Sequence, residues 1–150
     1  MNEGPINVKI KLLRKNAKIP QQKNKGDAGF DLYANIDQDV QVAPRSTMLI
    51  KTGIAIEIPS GYYGALHTRS GIGTKRNLRL ANCTGIIDSD YRGELLVAVY
   101  NDSNQGQILN NKERFAQIVI MPYLKYDINV VDELNTPQEN HDGFGSTGNK

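Results

Sequence analysis

The sequence predicts an all-β domain, a sandwich or barrel with at most one short helix. Three observations lead there. Apolar residues alternate with period two, these runs recur about every dozen residues, and turn-forming clusters lie between them. Val8, Ile10 and Leu12 make the first run. APRS (43–46) turns the chain ahead of Ile54, Ile56 and Ile58, and IPSG (58–61) ends that strand. The next alternating strand ends at Arg69 and Ser70, and SGIGTKRN (70–77) is the one segment suited to a short helix. DSDYRG (88–93) sits where a hairpin would bend before Leu95, Val97 and Val99, and NDSNQG (101–106) marks the following turn. Ile118 and Ile120 form the last run, with MPY (121–123) read as its closing turn. After Leu134 the chain becomes NTPQENHDGFGSTGNK, with Phe144 almost its only apolar side chain. Such a segment orders only when a ligand or partner supplies contacts, so the expected division is a β-domain over 1–134 and a flexible arm over 135–150.

Bulk composition narrows the function. A chain of 150 residues fits one domain, and a domain of that size buries roughly 68–70% of its unfolded surface, enough for a core without staples. Net charge is +2, too small to argue for nucleic acid. The charge is segregated, however, with seven Lys/Arg against Glu3 in residues 1–25 and five acids against Lys150 from Asp127 onward, so the two ends attract within a chain or between subunits. One cysteine, Cys83, permits no internal disulfide and suggests a reducing, cytoplasmic compartment; within LRLANCTGII it reads as a small buried hydrophobe. The charged N-terminal stretch does not resemble a secretory signal, and no run of apolar residues reaches a membrane span.

Several motifs fail on inspection. His67, His141 and Cys83 make no zinc spacing, and both histidines read as bystanders. DSDYRG is no EF-hand, because Arg92 and Val99 occupy the fifth and twelfth positions of the loop. Thr68 and Ile72 stand where a nucleophile elbow around Ser70 needs glycines. Gly143, Gly145 and Gly148 match G-x-G-x-x-G, but a dinucleotide loop must open a helix, and only Asn149 and Lys150 follow.

Three features remain that folding does not require. Asp88 follows the apolar GII at a hairpin bend, either as a turn residue bonded to its own backbone or as a free carboxylate. Arg69 and Ser70 place a guanidinium, a hydroxyl and free amides together, which suits a phosphate, although a surface salt bridge accounts for Arg69 as well. GFGSTG (143–148) offers a stacking ring between glycines with Ser146 and Thr147 beside it. Together they describe a nucleotide site: a ring for a base, donors for phosphates, and carboxylates for a metal and a water.

Five motifs in register, AGFDLYA (28–34), TRSG (68–71), NCTGIIDSDYRGEL (82–95), ERFAQIVI (113–120) and GFGSTG (143–148), resemble the homotrimeric deoxyuridine triphosphatases, enzymes that split dUTP into dUMP and pyrophosphate. The resemblance covers almost the whole chain and implies a jelly-roll-like β-barrel with a mobile C-terminal arm. It implies that Asp88 orients and deprotonates the water attacking the α-phosphorus, and that Asp31 anchors, through water, a Mg²⁺ held by the triphosphate. Arg69, Ser70 and Gln117 match phosphate contacts, Gly71 keeps their turn open, and Arg114 matches a structural arginine. Tyr91 matches the residue that rejects a 2′-hydroxyl by shape. Asn82 and the backbone from Cys83 through Gly85 to Ile87 match the wall that reads uracil. Phe144 would stack on the base while Ser146 and Thr147 close over the phosphates. Each pocket of the trimer would draw on three subunits. Glu139 departs from the family pattern, since an arginine is usual there. That departure motivates an alternative, a dUTP-binding regulator that signals to a protein partner.

Overall fold

A computed structural model of the chain describes residues 4–135. Among them are ten strands and one helix: β1 (Lys9–Leu12), β2 (Phe30–Tyr33), β3 (Val40–Val42), β4 (Thr47–Glu57), β5 (Tyr62–Thr68), α1 (Ser70–Arg76), β6 (Leu78–Leu80), β7 (Gly85–Ile87), β8 (Glu94–Asn101), β9 (Gln107–Leu109) and β10 (Arg114–Pro122). All strand pairs are antiparallel, forming sheets ordered β1-β4-β8-β6 and β2-β10-β5-β7, with β3-β9 as a small third pair. Because side chains on a strand alternate sides, each sheet turns one apolar row inward. Ile50, Ile54, Leu95, Val97 and Val99 from the first sheet meet Leu32, Leu66, Phe115 and Ile118 from the second, all buried.

The helix arises where residues 70–77 lose the alternation, and it ends at Asn77, whose φ of 53° is the left-handed conformation that stops a helix. Two expectations need correction. MPY is not a turn: Met121 and Pro122 continue β10 opposite Tyr63 and Tyr62, a proline being tolerated where the strand ends. Cys83 is exposed at a left-handed bend (φ 60°) between β6 and β7, because that bend lifts the chain off the core.

The long strand β4 changes register between Lys51 and Ala55. Gly53 makes the irregularity possible, since its φ is 71° and an added Cβ would lie 2.6 Å from Asn35 Oδ1. Glu94 accepts the N–H of Gly53 at 3.0 Å and a two-pronged contact from Arg14 at 2.8 and 3.2 Å. The basic N-terminal segment therefore pairs with strand acids, Arg14 with Glu94 and Lys9 with Glu57. The Lys9 ammonium, hydrogen-bonded and close by, holds the Glu57 carboxyl below the ordinary glutamate range. No helix among the described residues is long and apolar enough to cross a membrane.

Asn101 is fully buried and ties the β3-β9 pair to the first sheet. Its amide donates to Val42 O (3.0 Å) and Gln105 O (2.7 Å), and its carbonyl accepts from the Ser103 amide (3.0 Å). Asn101→Ala strands several of these groups without water, and stability measured by urea titration at fixed protein concentration falls by about 3 kcal/mol. A midpoint equal to the wild type would show that the link is dispensable.

Candidate active site

The register of the second sheet assembles one cluster. β10 lies between β2 and β5, and its Gln117 stands opposite Asp31 on one side and His67 on the other. Directly opposed residues share a face, so these three side chains project together. Gly29 makes room for them, since a Cβ there would lie 2.4 Å from Gln117 Oε1. Gln117 donates to Thr68 O at 3.1 Å, fixing its amide against the end of β5.

One residue beyond β5, Arg69 enters the helix. Its Nε donates to Asp31 Oδ1 at 2.7 Å and its Nη1 to Arg114 O at 3.1 Å. Arg114 Nη1 reaches the other Asp31 oxygen at 3.2 Å. Asp31 is 13% exposed, so both guanidinium groups meet its carboxylate largely out of water. The salt-bridge reading of Arg69 and the phosphate reading are thus compatible: among the described residues Nη2 has no partner and can meet an oxyanion. Ser70 and Gly71 open α1, where backbone amides have no helical acceptor. Gly71 has open space about it and an ordinary φ, so no crowding demands a glycine there. A cleft of about 410 Å³ results, lined by Lys23, Asp31, His67, Arg69, Ser70 and Gln117. Lys23 was missed from sequence, and His67, read there as a bystander, lines the cleft. The signal for Lys23 was its place in the polar run QQKNKGD just before AGFDLYA. The signal for His67 was its position two residues before Arg69.

A second cleft of about 540 Å³ lies at the hairpin between β7 and β8, lined by Asp88, Asp90, Tyr63, Ile86, Tyr123 and Tyr126. The bend is closed by main chain, Tyr91 N donating to Asp88 O at 3.2 Å. The exposed Asp88 carboxylate accepts no hydrogen bond among the described residues, which decides against the self-bonded turn residue. Tyr91 is 41% exposed and donates its hydroxyl to Glu94 O at 2.8 Å, which anchors its side chain to the hairpin. Asn82 is exposed at the entry to β7. Gly85 is buried, and an added Cβ would lie 2.9 Å from Leu66 Cδ1. Ile87 packs against the core.

The two clefts share no lining residue, so one chain does not bring Asp88 to Arg69, Ser70 and Gln117. A third cavity, about 610 Å³, is an apolar groove between Val8, Ile10, Ile19, Phe30 and Ile118, without the charged groups that chemistry needs. Among the described residues no three His, Cys, Asp or Glu side chains are placed to hold a metal ion directly. Phe144, Ser146, Thr147 and Glu139, together with the expected arm boundary at 135, fall on or beyond the edge of the described residues.

The family model for dUTPase matches residues 15–148. The chain is 40% identical over 144 residues to the deoxyuridine 5′-triphosphate nucleotidohydrolase of Ralstonia pickettii, covering 95% of this chain and 97% of that one. It is 42% identical over 146 residues to the enzyme of the same name from Desulfitobacterium hafniense, with the same coverage. Among solved structures, a mutant dUTPase of Staphylococcus bacteriophage 80alpha, crystallised with dUpNHpp, superposes with TM-score 0.82 at 30% identity, covering 95% of this chain and 98% of that one. A mutant dUTPase from phage phi11 of S. aureus, described as coordinating a structural Mg(II) ion, gives 0.79 at 27% identity, covering 87% and 100%. With matches spanning nearly its full length, the chain belongs to the dUTPase family.

Proposed function

We propose that the protein hydrolyses dUTP to dUMP and pyrophosphate at a site completed between subunits of a homotrimer. The observation that carries the shared site is the separation of its halves: phosphate donors line one cleft, and the unpaired Asp88 carboxylate lines another. A second feature supports assembly. Beyond β10, Leu124, Tyr126, Ile128 and Val130 are 80–97% exposed and alternate with Lys125, Asp127 and Asn129. That is the pattern of a half-buried strand with nothing among the described residues to cover it, and a neighbouring subunit would supply the cover.

In this reading Asp88 accepts a proton from a water aimed at the α-phosphorus, and the bond to the pyrophosphate oxygen breaks on the opposite side. Arg69, Ser70 and Gln117, with the amide at Gly71, hold the phosphates where negative charge shifts toward the leaving group. The residues fit magnesium only through water. Asp31 spends one lone pair of each oxygen on a guanidinium and keeps others for a metal-bound water. When bound with the triphosphate, magnesium would neutralise charge on the departing pyrophosphate. Tyr91, pinned to Glu94, leaves no room for a 2′-hydroxyl, and Asn82 with the backbone of Cys83 to Ile87 reads uracil. Phe144 stacks on the base, and Ser146 and Thr147 close over the phosphates.

A second reading is a dUTP-binding regulator with slow hydrolysis. It is favoured by the likeness to the 80alpha protein, described among phage dUTPases that control transfer of virulence genes by a G protein-like mechanism. Pyrophosphate release separates the two, since saturable dUTP binding without turnover would select the regulator.

Purified protein with Mg²⁺ should release pyrophosphate from dUTP and discriminate against dTTP, dCTP and UTP; equal rates on UTP would remove Tyr91 from its role. Asp88→Asn should bind nucleotide as the wild type does while kcat falls by about 10² to 10⁴. A kcat near the wild-type value would exclude Asp88 as the base. Deleting residues 143–150 should leave the assembly intact by light scattering yet impair turnover. Dissociation of the deletion variant would contradict a lid role.

A further inference from the structure

The phosphate cleft contains a cation that the reading above does not use. Four ionised side chains line it: Lys23, Asp27, Asp31 and Arg69. Arg69 is already met by Asp31 at 2.7 Å, and Asp31 in turn is shared with Arg114. Asp27 is occupied as well, accepting from the Asn24 backbone N–H at 2.9 Å and from the Asn24 side-chain amide at 3.3 and 3.4 Å. Lys23 makes neither an ion pair nor a hydrogen bond among the described residues. Without it Asp27 and Asp31 balance Arg69 and Arg114, leaving no net positive charge to attract a nucleotide triphosphate.

The loop bearing Lys23 is held at both ends. Gln21 exchanges backbone hydrogen bonds with Asp31, at 2.8 and 3.3 Å, and its side chain accepts the Tyr33 hydroxyl at 3.1 Å. Asp27 N donates to Asn24 O at 3.1 Å, closing a turn on the other side. Residue 23 is therefore fixed at the mouth of the cleft, two residues from the strand partner of Asp31. Its four-carbon stem still lets the ammonium follow a moving anion.

We propose that Lys23 is a phosphate-binding residue of this site, meeting the pyrophosphate portion of the nucleotide, where most of the charge resides. The inference rests on the dUTP reading. It adds a contact from the loop before β2 to those from β5, α1 and β10. Lys23 is exposed, so its replacement does not disturb the core.

Calorimetric titration of the full-length protein with Mg²⁺ and α,β-imido-dUTP, and separately with dUMP, tests it. Lys23→Gln should weaken α,β-imido-dUTP about tenfold, the worth of one charge-assisted hydrogen bond. dUMP, which lacks the outer phosphates, should bind as it does to the wild type, and Lys23→Arg should restore most of the loss. Unchanged α,β-imido-dUTP affinity in Lys23→Gln, or an equal loss for dUMP, would overturn the proposal. A wild-type protein that bound neither ligand would instead overturn the dUTP reading, and this inference with it.

Discussion

The site depends on one carboxylate. Asp31 on β2 receives Arg69 from the end of β5 on one oxygen and Arg114 from the start of β10 on the other, so three adjacent strands converge on a single charge. Remove it, and two guanidinium groups repel across a cleft with nothing between them. The pairing is partly exposed, and its contribution to stability is smaller than that of a fully buried ion pair. Its larger effect is geometric. Arg69 cannot swing freely, and its remaining nitrogen is aimed before any ligand arrives, so less ordering is left to do on binding. In the proposed reading, an incoming phosphate would share Arg69 with Asp31, which would make the uncommitted Lys23 more valuable.

Much of the fold was legible in the alternation of apolar residues. Leu95, Val97 and Val99 do face the core, as do Ile54 and Ile56, and the break in pattern at Ser70 does mark the helix. Period two is visible because each strand buries one face. Where that condition fails, the reading failed too. Pro122 looked like a terminator, but a proline at a strand end removes no needed hydrogen bond. Cys83 looked buried because its neighbours are apolar, yet a left-handed bend lifts it out.

The site was legible in pieces. Arg69, Ser70, Gln117 and Asp31 converge as their motifs suggested, because strand register alone brings them to one face. Lys23 escaped notice and His67 was read as a bystander, since what marks them is proximity across the sheet, which no spacing along the chain records. The separation of Asp88 from the phosphate cleft was equally beyond spacing arguments and followed only from the resemblance. A single chain places Asp88 and Arg69 in different clefts, and among the described residues an alternating apolar segment beyond β10 is left uncovered. In the proposed reading, assembly would be a condition of catalysis.

Complementation between two disabled variants measures this most directly. Asp88→Asn and Arg69→Ala proteins, each inactive alone, are unfolded together in equal amounts, refolded and assayed for pyrophosphate release. If the halves come from different subunits, activity returns to about a quarter of the wild-type value, the chance that each intact half falls in its proper place. If mixed oligomers form, as native mass spectrometry would show, and activity stays at the level of the separate variants, a site shared between subunits is contradicted.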